Sequence, residues 1–257
     1  MMDDRKHVNY DSLAATYHQR YIHNENKDVA KALRALAEET GAERILEAGC
    51  GTGRWLSEFS MPGRNVCGLD LSAGMLSQAR QRNPDLCLVR GRSEILPFPP
   101  GRFDLVYCVN AIHHFVDAGA FIQEARRVLR PGGGLAVINM SPHRGRNRWF
   151  VYDYFNGTLE ADLRRFPRWG TVLDWMLAAG FERVEWKVAE HIDNPKVGAA
   201  IFDDEFLQKH ACSQLALLSD EAYQAGIDHM RQAVAHQEDL IFHVDIELDV
   251  LAGFLGS

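Results

Sequence analysis

Three glycines at alternate positions, Gly49, Gly51 and Gly53, follow directly on a short apolar run that carries one acid, Glu47, in the stretch RILEAGCGTGRW. Glycines at the end of a strand let the backbone pass against a ligand where a Cβ would collide. A dinucleotide-binding turn needs a small third residue in the series G-x-G-x-x-G or A, so that helix and strand pack closely; counting from Gly49 and Gly51, that position is Arg54. Arginine does not fit there. Asp70 stands 21 residues after Gly49, at the end of a second apolar run. A carboxylate at that place can accept a pair of hydroxyls, or it can cap the helix that SAGML begins. Farther along, FDLVYCVNA opens onto His113 and His114, whose imidazoles titrate near working pH and can act as a base.

These residues need a frame. The runs ERILEAGC, NVCGLDLS, LCLVRGR, FDLVYCVNA and GLAVINM read as strands, and RWLSEFS, AGMLSQARQR and DAGAFIQEARRVLR between them read as helices. Such alternation predicts parallel strands joined by right-handed crossovers, with ligands gathering at the carboxyl edge of the sheet. Phe121, Ile122, Ala125, Val128 and Leu129 recur at helical spacing, and RPGGG stops that helix. Ahead of the first strand, KDVAKALRALAEETG puts Val29, Leu33, Leu36 and Ala37 on one face, with Gly41 as its cap; TVLDWMLAAG later ends on Gly180 in the same way. RVEWKVAE is a sixth strand, and LIFHVDIELDVLAG returns as an antiparallel seventh.

The expected fold is therefore α/β: a doubly wound, seven-stranded, mostly parallel, Rossmann-like sheet with an antiparallel last strand. One domain over 1–257 is expected, divided into an N-terminal helical cap at 1–40, a sheet core with the ligand site at 41–190, a helical insert at 191–240 and the last strand at 241–257. The insert contains SDEAYQAGIDHMRQAVA, with Ser219 as N-cap and Tyr223, Ile227, Met230 and Val234 as an apolar stripe. It is expected to cover an acceptor site, the alternative being a packing or dimer helix.

Apolar content of 46% and charged content of 25% are ordinary for a globular chain. No run of about 18 apolar residues suits a membrane span, and MMDDRKHVNY lacks the apolar stretch of a secretory signal, so a cytoplasmic protein is expected. The net charge of −7 is unevenly placed: residues 190–257 hold 13 acids against 3 bases, and residues 1–189 hold 22 acids against 25 bases. That distribution weakens any argument from overall charge against a polyanionic partner, without making a basic domain. The five cysteines, Cys50, Cys67, Cys87, Cys108 and Cys212, are scattered and contain no C-x-x-C, so buried reduced thiols are expected rather than a disulfide frame or zinc site.

Four blocks in order, LEAGCGTGRW, VCGLDLSAGMLSQAR, VRGRSEILPFPPGRFDLVYCVNAIHHF and EARRVLRPGGGLAVIN, resemble the motifs of the class I S-adenosylmethionine-dependent methyltransferases, in the small-molecule branch that includes the ubiquinone and menaquinone methyltransferases. The resemblance runs from roughly Tyr10 to Glu190 and implies S-adenosylmethionine as cofactor. The residues agree with it. Gly49, Cys50, Gly51 and Gly53 would offer backbone amides to a zwitterionic amino-acid tail, Glu47 would accept from its ammonium, and Asp70 would accept both ribose hydroxyls. Leu71 and Met75 offer apolar surface to the adenine. The family usually has Asp where this chain has Arg92, so the adenine contact falls to the Ser93 amide and to Glu94, or to apolar packing alone. Asn110 and Ala111 are expected along the methionine arm, and Tyr17, in a segment with Tyr10 and Arg20 like the family's N-terminal helix, at its carboxylate or as a packing aromatic.

Methyl transfer from a sulfonium needs in-line positioning and a dry site, and a base only when the nucleophile must lose a proton. His113 and His114 are the candidate base, or they shape the loop; adjacent histidines do not readily share one metal ion, and none is expected. The cluster DDE at Asp203 reads as a solvated helix start. From Ser141 to Gly170 lie six arginines, Arg144, Arg146, Arg148, Arg164, Arg165 and Arg168, against three acids, interleaved with Trp149, Tyr152, Tyr154, Phe155 and Trp169. Arg148, Trp149 and Tyr152 are the candidate substrate residues for a planar or anionic small molecule, the alternative being a charged surface loop. The expected function is methyl transfer to an O, N or C atom of a small acceptor, without membrane partner and with a homodimer as an option. An RNA acceptor is a second reading, lowered by the lack of a basic domain or N-P-P-Y-type loop, and a non-catalytic cofactor-binding module is a third.

Overall fold

The computed structural model describes residues 10–14 and 26–256. One sheet holds β1 (Arg44–Ala48), β2 (Asn65–Asp70), β3 (Cys87–Arg90), β4 (Phe103–Val109), β5 (Leu129–Met140), β6 (Arg148–Trp149), β7 (Arg183–Asp193) and β10 (Val244–Phe254). A separate two-stranded pair, β8 (Lys196–Val197) with β9 (Ile241–Phe242), closes the base of the insert. The order is β3-β2-β1-β4-β5-β10, with β7 and the two-residue β6 both pairing with β10. The first five strands are parallel, and β10 runs antiparallel to β5, β6 and β7. The seven long strands are those expected, β6 being an eighth and minor one. The last strand begins at Val244, because Ile241 and Phe242 pair away from the sheet.

Every residue of β4 is buried, as a central parallel strand covered on both faces must be. Leu105, Tyr107 and Val109 face a layer formed by α2 (Lys27–Glu39) and the later additions, where Val29, Leu33 and Ala37 meet them. Val106 and Cys108 face the opposite layer, with α4 (Ala118–Val128) and α7 (Trp169–Ala178). The remaining helices are α1 (Tyr10–Leu13), α3 (Ala73–Arg82), α5 (Phe150–Tyr154), α6 (Thr158–Arg165), α8 (Ser213–Ala216) and α9 (Asp220–His236). Gly41 caps α2 at φ +56°: its amide donates to the carbonyl of Glu38 and that of Ala42 to Ala37, the two bonds of a left-handed helix stop. RWLSEFS forms only a short 3-10 turn at Leu56–Phe59, because Gly51 and Gly53 hold φ values of +52° and +75° and delay any helical start.

The insert differs from expectation in one respect. Ser219 does cap α9, its hydroxyl accepting from the Ala222 amide, but the α9 stripe points into the chain's own core. Ile227 and Met230 are buried, and Tyr223 stacks on Phe155 at 5.8 Å. The stripe is thus covered internally.

Far from the carboxyl edge, Asp104 at the start of β4 ties three elements together. Its carboxylate accepts from the Glu43 and Arg44 amides and from the guanidinium groups of Arg44 and Arg130. Burial raises its pKa, but these donors outweigh burial and hold it at about 2. A carboxyl depressed in the folded state contributes stability that is fully present above its unfolded value and is lost as pH falls through the folded one. Asp104→Asn should therefore lower stability by about 2 kcal/mol at pH 7, and the gap should narrow between about pH 4 and pH 2. Urea unfolding at several pH values reads this directly, and a pH-independent difference would assign the loss to packing.

Candidate active site

The loops that leave the carboxyl ends of β1, β2, β3 and β4 converge where the strand order reverses between β1 and β4, the usual ligand crevice of an open parallel sheet. They line a cavity of about 400 Å³, a volume suited to a nucleoside-sized ligand. Glu47, Gly49, Cys50, Gly51, Asp70, Leu71, Met75, Arg92, Ser93, Glu94, Asn110 and Ala111 all lie on its wall. Gly53 does not: a Cβ there would press on Ala79 of α3 at 3.2 Å, so its lack of a side chain serves helix packing. Tyr17 and Arg20 lie outside the described residues.

The glycine turn is held differently from expectation. The Gly49 and Cys50 amides donate to the Leu69 carbonyl, Gly53 donates to Cys50, and Gly51 donates to Asp70 Oδ2 at 2.8 Å. Their amides are thus engaged within the protein, because the β1 turn crosses directly over the end of β2. Nor do all three glycines make room for a ligand. A Cβ on Gly49 would stand 2.6 Å from the Ala111 Cβ, whereas one on Gly51 would meet nothing within 4 Å and would project into open space beside the cavity.

Two carboxylates dominate the cavity floor. Glu47 is buried, with the Tyr107 hydroxyl donating to it at 3.3 Å, and burial pushes its carboxyl well above the usual range. A buried carboxylate so thinly partnered favours a cation brought to it. Asp70 accepts from the Gly51 amide at 2.8 Å on one oxygen and from the Ser72 amide at 2.9 Å on the other. Burial raises its pKa while those amide bonds lower it. The cap of α3 is Ser72, whose hydroxyl accepts from the Met75 amide, so Asp70 does not serve as the helix cap. Asp11 of α1 accepts from Ser72 Oγ and the Gly74 amide, which ties α1 to this edge.

At the rim, Glu94 is committed: one oxygen accepts from the Val116 and Asp117 amides and the other from Arg92 Nε at 3.3 Å. Leu71, 63% exposed, presents bare apolar surface beside buried Met75. Arg54, known from the sequence only as a misfit to the dinucleotide pattern, also lines the cavity, with its guanidinium stacked over Trp55 and bonded to Glu58. Nothing in its spacing marks it as a wall residue, since Glu58 and Trp55, which it contacts, are local.

A second cavity of about 290 Å³ adjoins the first, and Tyr10, Asn110 and His114 line both. Asn110 adopts φ +49°, a left-handed conformation that Asn tolerates better than most residues and that is often found at functional sites. The Tyr10 hydroxyl lies 2.6 Å from His114 Nε2. His113 stacks on Phe166 at 3.9 Å and lies against the Asn139 amide. The roof comes from the first part of the insert, including Lys196, Asp203, Asp204, Glu205 and Phe206. The acids at Asp203 thus stand at a cavity wall, where they had been expected simply to open a solvated helix; Asp204 does cap the 3-10 turn Glu205–Leu207.

Of the residues expected to bind substrate, only Trp149 lines this chamber. Tyr152 turns away to donate its hydroxyl to buried Asp162, and Arg148 is exposed against His243. None of the six arginines lines it. Arg165 pairs with Asp162, and Arg144 with Asp249 and Glu247. Buried acids thus recruit Arg144 and Arg165 as structural partners, away from the chamber.

A family model described as a methyltransferase domain matches residues 46–137. The demethylmenaquinone methyltransferase of Oceanobacillus iheyensis is 30% identical over 204 residues, 69% of this chain and 84% of that one. The demethylmenaquinone methyltransferase of Beutenbergia cavernae is 37% identical over 111 residues, and the phthiotriol/phenolphthiotriol dimycocerosates methyltransferase of Mycobacterium leprae 39% over 122. Those matches span 42% and 46% of this chain, and less than half of each relative, 46% and 45%. Among solved structures, a putative methyltransferase from an antibiotic biosynthesis pathway of Anabaena variabilis superposes with a TM-score of 0.70 at 22% identity, over 88% of this chain and 97% of that one.

Proposed function

The chain belongs to the class I S-adenosylmethionine-dependent methyltransferases of the small-molecule type, and from that premise we propose that it methylates an O, N or C atom of a small acceptor held in the second cavity. The observation that carries this reading is the pair of cavities meeting at Asn110 and His114, one with the carboxylates and apolar wall a nucleoside with an amino-acid tail requires, the other roofed by the insert. Glu47 would take the tail's ammonium and Arg54 its carboxylate. Asp70 would hold the ribose, while Leu71, Met75 and the Ser93 amide would hold the adenine, with Arg92 and Glu94 bracing the rim. The cofactor supplies a methyl already activated on sulfonium, so the protein's task is alignment and exclusion of water. His114, at the junction and bonded to Tyr10, would take a proton from an acceptor that must lose one, and His113 would form chamber wall.

The acceptor is neutral or cationic and partly flat. Trp149, Phe150, Phe166 and Phe206 give the chamber aromatic walls, and its charged lining is Asp203, Asp204 and Glu205 against Lys196. The enclosure by the insert favours a small molecule over a nucleic acid. Transfer of labelled methyl to a panel of flat acceptors carrying neutral, ammonium or carboxylate substituents tests this. Carboxylates should be poorest, and Asp203→Asn should narrow the gap between ammonium and carboxylate acceptors severalfold. Preference for carboxylates would overturn the charge assignment, and cofactor binding without transfer to any of them would favour a binding module.

A further inference from the structure

Cys67 on β2 and Cys87 on β3 are direct partners in the parallel register. Partnered residues on neighbouring strands present their side chains on the same face, with the strands about 4.7–4.9 Å apart. That separation falls within the Cα spacing of about 4.4–6.8 Å that a disulfide needs. The two sulfur atoms stand 2.7 Å apart, and both thiols are free. Their surroundings are unequal: Cys67 is buried among apolar residues, while Cys87 is exposed on β3, which among the described residues pairs with β2 alone. Cys50, Cys108 and Cys212 are all buried.

We infer that Cys67 and Cys87 are a reversible dithiol–disulfide couple, a modification site for a two-electron oxidant of the hydroperoxide class. Cys87 meets the oxidant first, because it alone of the two is open to solvent. Its sulfur attacks one peroxide oxygen, the O–O bond breaks, and a sulfenic acid and water form. The Cys67 sulfur then attacks the Cys87 sulfur; the S–O bond breaks, the S–S bond forms, and the departing hydroxide takes the Cys67 proton as a second water. Two thiols are oxidised by two electrons and one hydroperoxide group is reduced. Burial pushes the Cys67 thiol up, and the neighbouring Cys87 adds to this, which suits Cys67 to the resolving step and not to first attack. The bond closes a loop around α3 and lies three residues before both Asp70 and Arg90, each on the wall of the first cavity. Oxidation would thus fasten β3 beneath the cofactor site.

The couple is independent of methyl transfer and is tested without cofactor or acceptor. Fully reduced protein is treated with a small excess of hydrogen peroxide, quenched, unfolded and alkylated. The wild type should lose the mass of two hydrogens, fall from five alkylatable thiols to three, and yield one linked peptide pair containing Cys67 and Cys87, all reversed by dithiothreitol. Cys87→Ser, at an exposed position, should give no linked pair and keep its remaining thiols. Cys67→Ser should accumulate a dimedone-reactive sulfenic acid at Cys87 that the wild type does not retain. Equal thiol loss in wild type and Cys87→Ser would overturn the inference. So would wild-type Cys87 proceeding to sulfinic acid, or bridging two chains, while Cys67 stays alkylatable.

Discussion

Replacing Gly51 with valine should abolish measurable binding of S-adenosylmethionine and of its demethylated product, both of which the wild type should bind at roughly micromolar strength. Two effects act together at this position. The backbone holds φ +52°, where a β-branched residue is strained, so the turn would shift and carry with it the Gly51 amide that steadies Asp70. The new side chain would also enter open space beside the cavity, since an added Cβ meets no protein atom within 4 Å. At Gly49 the same change would strike Ala111, and at Gly53 it would strike Ala79, so neither variant separates binding from packing. Gly51→Val should keep the circular dichroism spectrum of the wild type, with a thermal midpoint lowered by the strain alone. Calorimetric titration reads the binding loss. Unchanged affinity would move the amino-acid tail away from this turn, and tight binding of a nicotinamide dinucleotide to the wild type would overturn the cofactor assignment altogether.

The parts of this site that were legible in the sequence are those fixed by local spacing. An acid and three glycines at a strand end, a second acid at the next strand end and a polar loop after the fourth strand must share one edge if the strands are parallel, and β1, β2 and β4 place them there. Capping by Gly41 and Ser219 was readable for the same reason, because the partners lie within one turn. What was not legible depends on pairing across long separations. Whether the arginines between Ser141 and Gly170 made a pocket or a charged loop stayed open in the sequence because Asp249, which binds Arg144, lies 105 residues away. Cys67 and Cys87 looked scattered because only the β2–α3–β3 crossover brings them into register. The direction of an amide is likewise invisible: Gly51 could have pointed its N–H at a ligand, and it points at Asp70. The α9 stripe announced burial correctly but not its partner, since Phe155 and the chamber roof are equally apolar from the sequence side.

Asp70→Ala should weaken cofactor affinity by about a hundredfold, equivalent to about 2–3 kcal/mol for two hydrogen bonds to a charged acceptor. The Gly51 and Ser72 amides each donate to one Asp70 oxygen, and those bonds hold the carboxylate at the cavity wall. Alanine removes the acceptors and also frees the Gly51 amide, so part of any loss could come from a loosened turn. A double-mutant cycle separates the two. A cofactor analogue lacking both ribose hydroxyls should bind wild type about a hundredfold more weakly than the cofactor itself and should lose little more on Asp70→Ala, because the groups that Asp70 serves are already gone. If the analogue instead loses as much as the cofactor does, Asp70 acts by shaping the glycine turn and the ribose is held elsewhere. Acidity supplies an independent check. Burial raises the pKa of Asp70 and, more strongly, that of Glu47. Binding that needs both groups ionised must therefore weaken as pH falls, starting above the ordinary carboxylate range. In Asp70→Ala the Glu47 part of that pH dependence should remain, whereas affinity independent of pH in the wild type would exclude both carboxylates from contact with the ligand.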